Sequence, residues 1–146
     1  MRGIVFAAPV LLLIAAGPTL PVKPGKWETT ATIDEASMPG MPAFLTKRMI
    51  GHATTVSQCI TPEQAANGPR AMMENSNGKC HYTEFNATGG KFNATMACEM
   101  PSGTMTSTAS GTYTATTLDL TSSGTMTGPR AMTTKSHSSG HYVGPC

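Results

Sequence analysis

The chain has 146 residues, with 10 Lys and Arg against 8 Asp and Glu, and a formal net charge of +2. The charged residues are scattered along the chain, so the sequence lacks the basic patch by which proteins bind nucleic acid or anionic membranes. The length suits a single domain with one core.

The N-terminal segment has the layout of a secretory signal peptide. Arg2 supplies a positive charge, an apolar run covers residues 4–16, and small residues follow. The run is too short to span a bilayer stably, so we expect no membrane span once it is removed. Cleavage is predicted between Pro18 and Val22, which makes residues 1–22 the signal peptide and the mature protein periplasmic or secreted.

The mature part, residues 23–146, is predicted to be one β-rich domain stabilised by disulfides. From Pro24 onward it has eight Ile, Leu and Val residues against ten Met, so methionine must fill many core positions. The 23 threonines of the chain favour strands. An even number of cysteines in an exported chain predicts two disulfides, formed by Cys59, Cys80, Cys98 and Cys146.

The first predicted elements are two strands separated by a loop. Lys26–Ile33 alternates with a period of two, which is typical of a half-buried strand, and its Trp27 is predicted to anchor the core. The loop of residues 34–51 is rich in Met, Pro and Gly, with a short helix expected around 42–49. A second strand is predicted over residues 54–60.

A two-turn helix is predicted directly after the second strand. Thr61 is an N-cap residue, Pro62 occupies the first helical position, and Gln64 stands where a capping box requires it. Gly68 marks the end of the helix.

The middle of the sequence predicts a β-hairpin that turns at Gly89 and Gly90, a pair that readily adopts a type I′ turn. The register that gathers the apolar residues on one face is preferred over a one-residue slip. Its cross-strand pairs are Ala87 with Phe92, Phe85 with Ala94, Thr83 with Met96, and His81 with Cys98.

Three long antiparallel strands are predicted to complete the chain as a meander. Each carries apolar residues on one face: Met105, Ala109 and Tyr113 on the first, Leu118, Leu120 and Met126 on the second, and Met132 and Tyr142 on the third. The predicted fold class is therefore all-β, mainly an antiparallel meander forming a barrel or half-barrel, with one or two short helices before the central hairpin.

The disulfide pairing is predicted from which face each cysteine occupies. The hairpin register puts Cys98 on the core face and Cys80 on the other, and simple alternation assigns Cys59 to the same side as Cys80 and Cys146 to the side of Cys98. We therefore expect Cys59 to bond Cys80 and Cys98 to bond Cys146. A three-residue turn at residues 88–90 would instead make Cys80 and Cys98 direct neighbours.

Several motifs resemble the exported bacterial family catalogued as domain of unknown function 3617. They are PGKWETT near the mature start, MPGMP, CITPEQA, the hairpin cysteines and the closing GHYVGPC. The resemblance covers almost the whole mature chain. It implies export and a shared fold, and it carries no activity or site residue.

The histidines give little support to an enzyme or a metal site. The sequence contains no nucleophile elbow, HExxH motif or phosphate-binding glycine loop, and His81 is expected to be a core or cross-strand histidine beside Cys98. His137 and His141 lie on a predicted strand, where four residues span roughly 13 Å, too far apart to bind one ion. The sequence therefore favours a non-enzymatic role, with no catalytic residue or cofactor.

Two functional hypotheses follow. In the first, a concave face bearing Met105, Tyr113, Leu118, Leu120 and Met126 holds an apolar small ligand or a protein partner. In the alternative, the chain handles copper, because thioethers select Cu(I) and the loop before the second strand contains Met38, Met41, Met49 and His52. We expect these methionines to be structural and the protein to hold no functional metal.

Overall fold

The computed structural model describes residues 20–68 and 79–146, in which seven antiparallel strands form one sheet. In chain order the elements are β1 (Gly25–Ser37), α1 (Ala43–Met49), β2 (Ala53–Ile60), α2 (Pro62–Asn67), β3 (Cys80–Thr88), β4 (Lys91–Met100), β5 (Gly103–Tyr113), β6 (Thr117–Met126) and β7 (Met132–Gly144). The predicted all-β fold with short helices before the central hairpin is confirmed. Most of the predicted signal peptide, residues 1–19, lies outside the described residues.

The strand order across the sheet is β2-β1-β7-β6-β5-β4-β3. Strands β3 to β7 follow one another as a meander, as the sequence predicts for the last three. The first strand, β1, then pairs with β7, and β2 pairs with β1. Within the described part of the chain β2 and β3 are the two edges and do not pair with each other, so the sheet is an open half-barrel or meander.

Helix α2 forms where the sequence predicts it, because its start signals are local. The Thr61 hydroxyl accepts a hydrogen bond from the backbone N–H of Gln64 at 3.1 Å, and the Gln64 side chain accepts one from the Thr61 N–H at 3.0 Å. Pro62 opens the helix and Gly68 follows its last residue with a φ of 51°. The reciprocal bonds satisfy two N–H groups that the helix itself leaves without a partner.

The central hairpin begins with the predicted turn and then departs from the predicted register. Gly89 and Gly90 have φ values of 62° and 77°, as a type I′ turn requires, and the pairs Ala87–Phe92 and Phe85–Ala94 form. Beyond them a β-bulge adds Thr83 to β3, so that Glu84 lies opposite Thr95 but Tyr82 lies opposite Met96.

This bulge makes the outer half of the predicted register wrong. Cys80, not His81, lies opposite Cys98, and Thr83 has no direct partner on β4. His81 lies opposite Ala97 and is exposed, so it is not a core histidine.

The predicted disulfide pairing is also wrong, although both disulfides exist. Cys80 bonds Cys98 across the hairpin, with their Cα atoms 4.0 Å apart. Cys59 on β2 bonds Cys146, two residues beyond the end of β7, with a Cα–Cα distance of 5.9 Å.

A second register shift explains the Cys59–Cys146 bond. Trp27 of β1 lies opposite Tyr142, but the preceding residue, Lys26, lies opposite Gly144. Val143 is the extra residue between these two partners, and it reverses the face to which the residues after it point. Cys146 therefore reaches the side of Cys59, which itself lies opposite Lys26 on β1.

The fully buried core is small. Only Trp27, Phe92 and Cys98 among the described hydrophobic residues are buried, with 3%, 8% and 3% of their surface exposed. The prediction that Trp27 anchors the core is confirmed. Two of the three positions with low exposure lie on the β3–β4 hairpin, and Trp27 lies at the opposite side of the sheet.

Candidate binding surfaces

The PGKWETT motif near the mature start and the closing GHYVGPC motif meet in one cluster around Trp27. The indole N–H of Trp27 donates to the backbone oxygen of Lys23 at 2.8 Å, and its ring packs edge-to-face on Tyr142 with centroids 6.5 Å apart. The Lys23 ammonium lies 4.3 Å from the centre of the Tyr142 ring. We call Lys23, Gly25, Trp27, Tyr142 and the Cys59–Cys146 bond the terminal cluster.

Gly25 shows that the terminal cluster is tightly packed. Its φ is 139°, a value that side-chain-bearing residues rarely adopt. A Cβ atom at this position would collide with the Tyr142 ring and the backbone oxygen of Gly144. The space around Gly25 therefore admits no larger residue. The cluster joins β1, β2 and β7 and leaves Trp27 no surface for stacking a ligand.

The five residues predicted to form a binding surface do share one face of the sheet. Met105 lies opposite Met126, Tyr113 lies opposite Leu118, and Leu120 lies opposite Gly111. All five side chains are half-buried. We call these five residues the apolar face.

The apolar face has little covering it within the described ranges. Tyr113 contacts Phe92 of the neighbouring strand β4, with ring centroids 6.4 Å apart. Of the two described helices, α1 packs beside β1, and neither makes an extensive contact with β5 or β6. A single-layer sheet thus carries a patch of apolar side chains that is only half shielded from water.

A second candidate surface is a cavity of about 480 Å³ that crosses the middle of the sheet; because most of its lining residues are of polar types, we call it the polar cavity. It is lined by residues of five strands: Asp34, Glu35, Asn93, Ala94, Thr95, Thr108, Ala109, Ser110, Thr121, Ser122, Ser123, Lys135 and Ser136. A smaller cavity of about 330 Å³ adjoins it through Glu35, Ser123 and Lys135. None of the five residues of the apolar face lines either cavity.

The charges beside the polar cavity are paired and exposed. The Lys135 ammonium lies 3.0 Å from a Glu35 carboxylate oxygen, and the two side chains are 62% and 66% exposed. His137 Nδ1 lies 2.7 Å from the carboxylate of Asp34, the extra residue of a bulge between Ile33 and Glu35. An exposed ion pair such as Lys135–Glu35 contributes about 0–1 kcal/mol, so these side chains mark a solvated surface.

The Asp34–His137 contact is one that sequence reasoning missed. The two residues are 103 positions apart, and they meet only because β1 pairs with β7. His137 and His141 do lie on a strand, as predicted, and both are exposed. No group of three or more His, Cys, Asp or Glu residues that could hold a metal ion is found in residues 20–68 and 79–146.

The residues of the copper hypothesis lie around helix α1. The backbone N–H of Met41 donates to the oxygen of Met38 at 3.1 Å in the turn before the helix. Met49 is the last residue of the helix, and His52 follows beyond its end. The seven-residue helix separates the two groups by roughly 10 Å along its axis. Copper binding by these residues stays the alternative hypothesis, and the expectation that the methionines are structural stays a prediction.

Tyr82 and Phe85 form the aromatic part of the hairpin. Their rings pack edge-to-face with centroids 5.5 Å apart. Burial raises the pKa of the Tyr82 hydroxyl above its usual value of 10.0, so the hydroxyl remains protonated at neutral pH. The bulge at Thr83 brings both rings to one face, although they are three residues apart.

The fold and its surfaces define a class of protein: an open antiparallel β-sheet stabilised by two disulfides, with an incompletely covered apolar face. The chain belongs to the family described as a protein of unknown function, DUF3617, whose model matches residues 22–146. No curated protein and no solved structure matches the chain. Among the described residues, no helix has the length and apolar character needed to cross a membrane.

Proposed function

We propose that the chain is an exported, non-enzymatic binding protein that holds an apolar ligand on its apolar face. The observation that carries this proposal is the half-exposed state of Met105, Tyr113, Leu118, Leu120 and Met126. A β-sheet with one apolar face normally buries that face against a second layer. In the described part of the chain no second layer covers β5 and β6. A bound apolar molecule would take the place of that layer.

The chemistry of the face suits a flexible apolar ligand such as an acyl chain. Burial of apolar surface contributes about 25 cal/mol per Å², so even a modest contact area favours binding. Met105 and Met126 are directly opposite each other and provide unbranched, polarizable side chains that adapt to an irregular ligand. Tyr113 adds a ring at the end of the row.

Export is supported by the signal-like N-terminus and by the disulfides. Both cysteine pairs of the chain are bonded, a state that persists in oxidising compartments. The non-enzymatic role is supported by the exposed state of the Lys135–Glu35 ion pair and the His137–Asp34 contact, since catalytic acids and bases usually lie in shielded sites.

The test is native mass spectrometry of the protein purified from the periplasm without detergent. We expect an added mass that extracts into organic solvent, as a lipid or other apolar molecule does. The purified protein should also bind a fluorescent fatty acid. A protein that carries no apolar molecule and does not bind the fatty acid would overturn the proposal, and a bound copper ion would favour the alternative.

Two neighbouring residues of β6 provide a matched pair of variants. Met126 belongs to the apolar face, and Thr125 points to the opposite face of the same strand. Met126→Lys should weaken binding of the fatty acid at least about tenfold, because a charge must then be placed against the apolar chain. Thr125→Lys should leave binding unchanged. Equal effects of the two substitutions would show that the ligand does not lie on the apolar face.

A further inference from the structure

The two edge strands of the sheet differ in how they are protected against pairing with another strand. On β3, the bulge at Thr83 and the charge of Glu84 interrupt the edge. Bulges and charged residues are the usual devices that prevent edge-to-edge association. On β2, residues 53–60 contain no charged residue and no proline, and the strand pairs with β1 without any register shift.

The edge of β2 is also open to solvent. Seven of its eight residues are exposed, and the central Val56 is 53% exposed. Among the described elements β2 pairs with β1 alone, so the backbone groups on its other side have no strand partner. An uninterrupted, uncharged edge of this length is a template for strand addition.

We propose that β2 pairs antiparallel with β2 of a second copy of this chain, joining two sheets into one across a two-fold axis. A neutral strand pairs with itself without repulsion between like charges, which a charged edge does not allow. Self-pairing of an edge strand is isologous, so it closes at the dimer and does not propagate into a fibre. A strand from a different protein would not be related to β2 by this two-fold symmetry.

The alternation of the strand fixes the register of this pairing. Directly opposite residues of antiparallel strands point to the same face, so a two-fold axis perpendicular to the sheet must pass midway between one residue and its own copy. Pairing centred on Val56 places this β-branched side chain against its copy and Thr54 against Gln58. The exposed Val56 is thereby covered, and the corresponding faces of the two sheets become continuous.

Such an interface is one strand wide, so we expect a weak and concentration-dependent dimer. Contacts that bury less than about 1,200 Å² in total are typical of transient association. The experiment is sedimentation velocity of the mature protein from about 1 µM to about 1 mM, the range that such affinities cover. The mass should rise from monomer to dimer. A monomer at every concentration would overturn the proposal.

Substitutions on the two edges locate the interface. Val56→Lys should abolish the dimer, because two ammonium groups then face each other near the axis, whereas His81→Lys on the exposed side of β3 should not. Far-UV circular dichroism and retention of both disulfides show that each variant is folded. If Val56→Lys dimerises like the wild type, the proposal is wrong.

Mixing two variants tests whether the strand pairs with its own copy. Val56→Lys and Val56→Glu should each be monomeric, and an equimolar mixture should form a heterodimer because opposite charges meet across the axis. Recovery requires that the two substituted residues lie close together in the dimer. If the mixture stays monomeric while the wild type dimerises, β2 does not pair with itself in this register.

Discussion

The terminal cluster and the β3–β4 hairpin each end in a disulfide, but they are assembled over very different distances in sequence. Cys80 and Cys98 are 18 residues apart and belong to adjacent strands of one hairpin. Cys59 and Cys146 are 87 residues apart and join β2 to the end of β7, the two strands that flank β1. One bond secures a local turn of the chain, and the other holds the N-terminal strands onto the meander.

This difference indicates which part of the sheet depends most on covalent closure. The hairpin can form from residues that are close in the chain, with a glycine turn that already favours it. The pairing of β1 with β7 joins residues that are far apart in the chain, as the Asp34–His137 contact shows with its separation of 103. Loop-closure entropy makes such long-range pairing more costly, so the terminal cluster should depend more on its disulfide.

The largest effect is expected from removal of the long-range disulfide. Replacing both Cys59 and Cys146 by Ala should lower the free energy of unfolding by about 4.5 kcal/mol, because the bond closes a loop of 87 residues in the unfolded chain. The measurement is urea unfolding of the variant and the wild type under oxidising conditions. A loss smaller than that caused by removing the hairpin disulfide would contradict the comparison of the two regions.

Trp27→Ala should cost about 4 kcal/mol, because it empties the most buried aromatic position of the terminal cluster. The substitution removes the contact with Tyr142 and the hydrogen bond to the Lys23 oxygen. Trp27→Phe is the matched control: it keeps an aromatic ring and should recover more than half of the loss. Amide hydrogen exchange should show lost protection in β1 before the β3–β4 hairpin. Equal loss in both regions would mean that the cluster is not a separate unit.

Removal of the hairpin disulfide should have a smaller effect. Replacing Cys80 and Cys98 by Ala should lower the free energy of unfolding by about 3 kcal/mol, because the closed loop spans only 18 residues. The pairing itself is checked by non-reducing tryptic mapping of the wild type. Peptide 80–91 should be linked to peptide 92–130, and peptide 49–70 to peptide 136–146. A link between peptides 49–70 and 80–91 would restore the pairing that simple alternation predicts.

The sequence predicts those features of the fold whose signals are local. The capping box of α2 is encoded in four consecutive residues starting at Thr61, and the type I′ turn in Gly89 and Gly90. The face shared by Met105, Tyr113, Leu118, Leu120 and Met126 follows from alternation along two regular strands. In each case the residues that decide the structure lie within one element or one turn.

The wrong hairpin register and the wrong disulfide pairing have one physical cause, which is the β-bulge. The extra residue Thr83 reverses the face to which the residues before it in β3 point. A second extra residue, between Tyr142 and Gly144, reverses the face of the residues that follow it at the end of β7. No glycine or proline marks the bulge at Thr83, whereas Gly144, with a φ of 151°, adjoins the second bulge. The pairing of β1 with β7, and with it the Asp34–His137 contact, depends on long-range packing that no local pattern encodes.

The smallest effect is expected from deleting Thr83, the extra residue of the hairpin bulge. Its neighbours Tyr82 and Glu84 already pair with the consecutive residues Met96 and Thr95, so the deletion closes the bulge without moving either pair. Thr83 is exposed, and its hydroxyl makes one long hydrogen bond of 3.3 Å to the Thr95 oxygen. The free energy of unfolding should therefore change by less than about 1 kcal/mol.

The control is deletion of Asn86, which is also exposed but belongs to the regular part of β3. This deletion exchanges the faces of Phe85 and Glu84, so that a carboxylate is placed among the apolar residues of the hairpin and an aromatic ring is exposed. It should cost at least about 2 kcal/mol more than deletion of Thr83. Tryptic mapping should find the Cys80–Cys98 link intact in the Thr83 deletion. If the two deletions destabilise the protein equally, the bulge is not at Thr83, and the local origin of the hairpin disulfide must be reconsidered.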